Sequence, residues 1–303
     1  GELLVSDPGV VGRIPVPATA KEALSDPIYK EQWRAAMDSE VQGKYKTNSA
    51  WKYVKHIPAG RKVMKGKWVF SVEYNRDNTV KRFKARWVGC GYSQVAGVDY
   101  HDVFASTLPI SAGRCFFAMC NGEDLEYAEI DGVKAFTQGE FDDGEELYIE
   151  QPHYCEVKDP SVVGCLLTKP LEGTKQAAHL WQKALAEQHR AMGYTQSMIE
   201  PNIWWKTVGK DTIRVAIYVD NLLYAWPKTE TGRALAAAYR KALGKRFNID
   251  DRGKPRKFLG AEITQSGSSL TMTQTEYITM VGRKFLSGSS THPFPTPLPK
   301  SKA

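Results

Sequence analysis

The stretch AIYVDNLLYAW, which runs from Ala216 to Trp226, contains two apolar runs separated by an acid and an amide. Apolar runs rich in β-branched and aromatic residues are typical of strands, and Asp and Asn tolerate the backbone of a tight turn. The pattern therefore predicts a β-hairpin with Asp220-Asn221 at its tip. Because the runs NIWWKTV and TIRVAIYV precede it, the sequence predicts three consecutive antiparallel strands.

Helical and strand patterns alternate along the rest of the chain. Asp26-Pro27 is a typical helix start, and Trp33 and Met37 then fall on one face of the predicted helix. The runs KWVFSVEYN and VKRFKARWV flank a turn at 75–78 and predict a basic hairpin. Further helices are predicted at 111–120, 174–192 and 229–247, with a last one through Phe285. This order of elements predicts an α+β protein with an antiparallel central sheet.

Composition limits the classes of function. The 303 residues carry a formal net charge of +7, with a sequence pI of about 9.0. This excess favours nucleic acid first and an acidic membrane surface second, and it is equally compatible with a simply basic protein. The sequence has no long uncharged apolar window and no signal-peptide pattern, which predicts an intracellular protein without a membrane span. Its five scattered cysteines indicate reduced thiols and argue against a disulfide framework or a zinc site.

Two acids each follow a run that strongly favours a β-strand. Asp131 ends EYAEID, and Asp220 follows TIRVAIYV. If these strands are neighbours, the two carboxylates meet at one end of the sheet. Magnesium takes one or two protein carboxylates and completes its shell with water and substrate phosphates, so the pair is a candidate magnesium site. The alternative is that both acids only accept hydrogen bonds from turn backbone.

Six motifs occur in one order along the chain: FKARWVGCGYSQVAGVDYHDVFA, EIDGVKAFTQGEFDDGEELYIEQP, LEGTKQAAHLWQKAL, EPNIWWK, YVDNLLYA and RKFLGAEI. Their order and spacing resemble the reverse transcriptase domain of copia-type (Pseudoviridae) retrotransposons, over nearly the whole chain. The resemblance implies a right-hand polymerase fold with fingers, an antiparallel-sheet palm and a partial thumb. The expected regions are an extended leader at 1–22, a fingers-like region at 23–124, a palm with the metal-site strands at 125–227, the palm end and thumb-like helices at 228–286, and a Pro-rich tail at 287–303.

The resemblance also assigns roles to individual residues. Asp131 and Asp220 match the family's metal-binding aspartates, and Asn221 stands where the family's YVDD hairpin has its second acid. Phe136 matches the aromatic residue that closes under the sugar of the incoming nucleotide; its alternative role is a buried core aromatic. Lys84 and Arg86 match a basic pair that holds the triphosphate; the alternative is that they belong to a solvated basic strand. Lys175 and Gln176 match the residues that open the helix lining the nucleotide and template side.

Two departures from the family pattern separate the function hypotheses. Asn221 removes a negative charge beside the expected metals, and Glu172 adds an acid near the expected nucleotide site. The first hypothesis is an RNA-directed DNA polymerase that uses two magnesium ions and binds RNA and DNA as template and primer. The second is a domesticated, inactive reverse-transcriptase fold that serves as a nucleic-acid-binding or structural subunit of a large protein or ribonucleoprotein assembly, which would hold the terminal tails. A basic scaffold without nucleic acid is the third.

Overall fold

A computed structural model describes residues 14–286, except 48, 76–78 and 268. The chain divides into two compact units. The first unit contains residues 1–106, 132–195 and 241–249, and the second contains 107–131, 196–240 and 250–303. Within the part that the structure describes, no helix combines the length and apolarity that a membrane crossing needs. The predicted Pro-rich tail and the turn residues 76–78 lie outside the described residues.

The first unit combines helices with a hairpin and a small sheet. Its elements are α1 (Ala20–Ser25), α2 (Lys30–Val41), β1 (Trp51–Val54), β2 (Val63–Met64), β3 (Gly66–Tyr74), β4 (Val80–Gly89), β6 (Tyr148–Ile149), β7 (Gly164–Leu167) and α4 (Ala177–Ala191). Strands β3 and β4 form the predicted antiparallel hairpin. The four-stranded sheet has the order β1-β7-β6-β2. The predicted α+β class is therefore confirmed in this unit.

Aromatic packing holds α2 against the hairpin. Trp33 and Met37 are fully buried, as the helical spacing predicts. The Trp33 ring meets Phe83 edge-on at 4.7 Å and Phe70 at 5.4 Å between centroids. Because side chains alternate along a strand, Phe83, Ala85 and Trp87 point to one face of β4 while Lys84 and Arg86 point to the other.

The start of α2 differs from the prediction. The helix begins at Lys30, four residues after Asp26. The Asp26 carboxylate accepts the backbone N–H groups of Ile28 and Tyr29, both at 2.8 Å, and so caps a turn before the helix. A short helix, α1, also begins at Ala20, inside the range predicted as an extended leader. There Thr19 accepts the N–H of Glu22, a typical N-cap that composition alone does not reveal.

The second unit is built on a six-stranded sheet. The elements that lie wholly or partly in it are α3 (Ile110–Gly122), β5 (Glu126–Gly132), β8 (Thr195–Gln196), β9 (Ile203–Val208), β10 (Asp211–Tyr218), β11 (Asn221–Trp226), α5 (Glu230–Arg246), β12 (Ile249–Gly253), β13 (Lys257–Phe258), β14 (Ala261–Ser266), β15 (Ser269–Thr273) and α6 (Thr275–Leu286). The strand order is β12-β5-β11-β10-β9-β8. Each neighbouring pair from β5 to β9 is antiparallel, which confirms the predicted central sheet and its three consecutive strands.

Both faces of this sheet are covered within the second unit. On one face Leu223 and Ala225 join a buried cluster with Phe117 of α3 and with Phe258. On the other face Tyr224 contacts Tyr239 of α5, with ring centroids 5.3 Å apart. Burial on both sides fixes the register of the central strands, because a slip by one residue would exchange the two faces.

Candidate active site

The β10–β11 hairpin has a two-residue turn. Tyr218 pairs with Asn221, so the turn consists of Val219 and Asp220. The predicted tip is therefore displaced by one position, and Asn221 is the first residue of β11. Val219 has a φ of 56°, in the left-handed region that β-branched residues rarely adopt. The paired strands hold this strained turn, a kind of backbone that concentrates at functional sites.

Asp131 lies at the same end of the sheet as this turn. It is the penultimate residue of β5, and its direct cross-strand partner on β11 is Asn221. Asp220 is therefore the chain neighbour of the residue that pairs with Asp131. All three side chains are partly buried. The structure thus brings together the two carboxylates and the amide that the sequence singled out.

Asn221 donates a hydrogen bond to its neighbour. Its Nδ2 lies 3.3 Å from Oδ1 of Asp220. An aspartate at position 221 has no such donor and would place a second negative charge beside Asp220. The Asn221 amide therefore stabilises the Asp220 carboxylate through this hydrogen bond. Because the amide is neutral, the turn carries less negative charge to attract a cation than it would with an aspartate at position 221.

A cationic side chain contacts the other acid. Nη2 of Arg252, on β12, lies 2.7 Å from Oδ2 of Asp131, and its Nε lies 3.7 Å from Oδ2 of Asp250. The side chain of Asp131 is 17% exposed and that of Arg252 is 47% exposed. Nothing in the local sequence of β12 predicts this contact, because it depends on β12 lying beside β5 at the sheet edge.

Glu129 is a third acid at this end that the sequence reading missed. It is buried on β5, two residues before Asp131 and hence on the same face of the strand. Burial raises the pKa of Glu129, the charge of Arg252 opposes that rise, and the charges of Asp131 and Asp220 add to it. The two-residue spacing in EYAEID is the signal that could have identified this residue.

These donors suit a hard divalent cation. Asp131 and Asp220 offer carboxylate oxygens, and magnesium is typically held by one or two carboxylates together with water and phosphate oxygens. Asp131 already binds a cationic group at 2.7 Å. Among the described residues no group of three or more His, Cys, Asp or Glu side chains could hold a metal ion by itself. Asp131 and Asp220 therefore offer ligands of the type that magnesium takes, and its other ligands would be water or phosphate oxygens.

The predicted triphosphate-binding pair lies on β4 in the first unit. Lys84 is engaged by Glu73 across the hairpin, with Nζ 3.2 Å from Oε1. Arg82 also binds Glu73, with Nε 2.6 Å from Oε2 and Nη2 3.1 Å from Oε1. The hydrogen bond from Arg82 is the main reason that the pKa of Glu73 is lowered to about 2; burial opposes the shift, and Lys84 adds to it. Arg86 is partly buried two residues farther along the same face.

Lys175 and Gln176 differ in what they can contact. Both precede α4, and Lys175 is exposed. Gln176 is only 1% exposed, and its Nε2 donates to the carbonyl oxygen of Asp99 at 2.9 Å. Its Oε1 accepts from Gln94 Nε2 at 3.0 Å. These hydrogen bonds use the Gln176 amide to fix the loop before α4, and contact between Gln176 and nucleotide stays a prediction.

Phe136 lies in a short 3-10 turn, Ala135–Gln138, and is partly buried in the first unit. The turn follows Lys134, whose φ of 52° is left-handed. Gln138 fixes the turn from the other end, because its Nε2 donates to the carbonyl oxygens of Val133 at 2.8 Å and of Asn248 at 2.9 Å. Phe136 is thus presented on a turn with defined hydrogen bonds, and its partial burial leaves one side accessible.

Glu172, the unexpected acid, has a buried cationic partner. The fully buried Lys44 pairs with Glu172, lies 2.8 Å from Oε1 of Glu40 and donates to the carbonyl oxygen of Trp87 at 3.0 Å. Burial alone would raise the pKa of Glu172, but the charge and hydrogen bond of Lys44 lower it overall. Glu172 is therefore one member of a structural ion pair. Lys134 extends the network, with its Nζ 3.4 Å from Oε2 of Glu40.

Comparison with known proteins identifies relatives. Residues 48–298 match a family model described as reverse transcriptase (RNA-dependent DNA polymerase). The retrovirus-related Pol polyprotein from transposon TNT 1-94 of Nicotiana tabacum is 30% identical over 285 residues, which cover 93% of this chain and 21% of that protein. The corresponding polyprotein from transposon RE1 of Arabidopsis thaliana is 30% identical over 262 residues, 86% of this chain and 17% of that protein.

The chain spans about a fifth of the length of these curated relatives. Among solved structures, a foamy viral protease-reverse transcriptase in complex with ds DNA aligns with a TM-score of 0.43 and 9% sequence identity. That alignment covers 82% of this chain and 36% of the viral chain.

Proposed function

Because the chain belongs to the reverse transcriptase (RNA-dependent DNA polymerase) family of copia-type retrotransposons, we propose that it catalyses RNA-directed DNA synthesis. The observation that carries this proposal is the direct pairing of Asp131 with Asn221, which brings Asp131 and Asp220 to one end of the sheet. The proposal concerns the polymerase domain alone, since the relatives are about five times longer than this chain.

Asp131 and Asp220 are the residues that would hold magnesium. When bound, a pair of magnesium ions would activate the primer 3′-hydroxyl and stabilise charge on the transferred phosphate and its leaving pyrophosphate. The protein contributes two carboxylates on adjacent, tightly packed strands and a turn whose conformation is fixed before substrate arrives. Asn221 holds Asp220 in position through its amide at 3.3 Å, but it adds no negative charge. We therefore expect weaker metal retention than an aspartate would give.

Other residues would bind the nucleotide. Lys84 and Arg86 are proposed to bind the triphosphate, a task for which Arg offers two parallel N–H donors to phosphate oxygens. Phe136 is proposed to pack under the sugar and exclude a 2′-hydroxyl. Lys175, exposed before α4, is a further candidate for contact with nucleotide or template. The net charge of +7 supports RNA and DNA as template and primer.

A second function is favoured by two contacts at the acids. Asn221 occupies the place of an acid, and Arg252 binds Asp131 at 2.7 Å. Both features reduce the negative charge that the two acids offer to a cation, as expected for a polymerase fold that binds nucleic acid but performs no chemistry. The proposed large assembly would belong to this alternative, and the tails that it would hold lie largely outside the described residues.

Primer extension on an RNA template distinguishes the two functions. The chain as given, Asp220→Ala and Asn221→Asp are compared in magnesium and in manganese. If the unsubstituted chain extends the primer and Asp220→Ala abolishes this extension, the polymerase function is supported. Extension only by Asn221→Asp indicates that one residue has switched off an intact site. If none extends while salt-sensitive binding to primed RNA persists, the binding function replaces the polymerase.

A further inference from the structure

Arg252 is positioned as a resident counter-ion of the candidate metal site. We propose that its guanidinium occupies the Oδ2 side of Asp131 in the metal-free protein and must move away when a divalent cation binds. The contact between Nη2 and Oδ2 is 2.7 Å, a charge-assisted hydrogen bond on a partly buried carboxylate. The inference rests on the proposed function and describes how that site is regulated.

The geometry provides a second partner for the displaced side chain. Nε of Arg252 lies 3.7 Å from Oδ2 of Asp250, which is two residues earlier on β12. The side chain of Asp250 is 64% exposed and that of Arg252 is 47% exposed, so the guanidinium can shift toward Asp250 without leaving a buried cavity. In the structure Arg252 contacts both acids at once, and in the proposed metal-bound state it would keep only the contact with Asp250.

The charge balance explains why such a counter-ion is present. Glu129 lies within electrostatic range of Asp131, Asp220 and Arg252 at this end of the sheet, and the guanidinium of Arg252 contacts Asp131 directly. Without metal, unpaired carboxylates in this partly buried position repel one another. Arg252 relieves that repulsion at Asp131, and the amide of Asn221 does so at Asp220. The metal-free state is therefore stabilised at both carboxylates.

A measurable cost to metal binding follows. A divalent cation at Asp131 has to displace the guanidinium and then remains close to its positive charge. Replacing Arg252 by glutamine removes both effects. We expect the affinity for manganese to rise about three- to tenfold, the range expected for a single charge acting through partly exposed surroundings.

The test is manganese binding followed by electron paramagnetic resonance of free Mn²⁺, without nucleic acid or nucleotide. The variants are Arg252→Gln and a matched control, Arg240→Gln. Arg240 is similarly exposed and binds Asp251 at 3.0 Å, so its replacement removes the same charge and the same type of ion pair without touching Asp131. Circular dichroism at the binding temperature checks that each variant is folded, and Arg252→Lys retains a cation at the position.

Tighter binding by Arg252→Gln, with Arg240→Gln and Arg252→Lys close to the parent protein, supports the inference. Equal affinities in all four proteins overturn it, as does a gain of the same size in Arg240→Gln. The inference is also overturned if the parent protein has no manganese site that Asp131→Asn abolishes. Primer extension is measured separately. If the affinity changes as expected but no primer is extended, the role of Arg252 as counter-ion is supported and the proposed polymerase activity is not.

Discussion

Removal of Lys44 should destabilise the first unit strongly. Its side chain is 0% exposed, and its Nζ is bound by Glu40, Glu172 and the carbonyl oxygen of Trp87. Lys44→Met preserves the length of the side chain but leaves both carboxylates without their shared cation; Glu40 retains only the more distant Lys134, at 3.4 Å. Breaking a buried ion pair from one side costs about 3–5 kcal/mol, and we expect a loss of unfolding free energy in that range.

Urea unfolding followed by tryptophan fluorescence measures this loss, since Trp87 lies within the network. Lys55→Met is the control, because Lys55 binds Asp159 at 3.2 Å with both side chains largely exposed, and its replacement should change the free energy of unfolding far less. Adding Glu172→Gln to Lys44→Met should recover part of the loss by removing one unpaired buried charge. A Lys44→Met protein within about 1 kcal/mol of the parent would refute the reasoning.

The stabilisation that the Lys44–Glu172 ion pair gives should decrease in acid. The pKa of Glu172 is lowered in the folded protein, so its ion pair stabilises the fold above the unfolded pKa of about 4.3. This contribution is lost as the pH falls through the folded value. The difference in stability between the parent and Lys44→Met should therefore narrow in acid, and the same urea titrations repeated at pH 7 and near pH 4 measure it.

Three further predictions concern other charged groups. Asn221→Asp should lower the melting temperature in EDTA, through repulsion with Asp220, yet show a larger stabilisation by manganese than the parent. Glu73→Gln should cost about 0.5–1 kcal/mol at pH 7; because the folded pKa of Glu73 is about 2, the difference should fade as the pH drops from about 4.5 toward 2 in urea titrations. Burial lowers the pKa of His189 to about 4 in the folded protein, below the ordinary value of 6.5. As the pH falls from 6.5 to 4, the unfolded chain is therefore protonated before the folded protein, and the free energy of unfolding decreases. The loss from pH 7 to 5 should be about 2 kcal/mol and absent in His189→Gln.

Strands β5, β9, β10 and β11 of the central sheet could be predicted from local sequence because each follows a distinct strand-forming run. The spacing of Trp33 and Met37 likewise predicts a buried helical face, since helical periodicity follows from local geometry. Convergence of Asp131 and Asp220 was expected on the assumption that the strands before them, β5 and β10, are neighbours. That assumption is wrong, because β11 lies between them; the two acids share one end of the sheet because β5 and β10 are both antiparallel to β11. These features depend on patterns that extend over a few residues.

The contacts that local sequence does not reveal depend on partners distant in sequence. Arg252 contacts Asp131 only because β12 lies beside β5, and no pattern in IDDRG indicates that neighbour. Gln176 matches a functional motif, but its burial against Asp99 and Gln94 arises from a loop some eighty positions earlier. Glu172 was read as a departure near the nucleotide, whereas its meaning depends on Lys44. Glu129 could have been found, since alternation along β5 places it on the face of Asp131.

The most direct test of the central claim is single-turnover primer extension on an RNA template by Asp131→Asn, Asp220→Asn and Asp251→Asn. If the first two carboxylates hold the catalytic metal, each replacement should lower the rate at least about a hundredfold, because metal stabilisation of the transition state amounts to several kcal/mol. Asp251→Asn makes the same change at an exposed acid on β12 that pairs with Arg240, and its rate should stay within a few-fold of the parent. Undiminished extension by Asp131→Asn or Asp220→Asn would contradict the assignment of the active site.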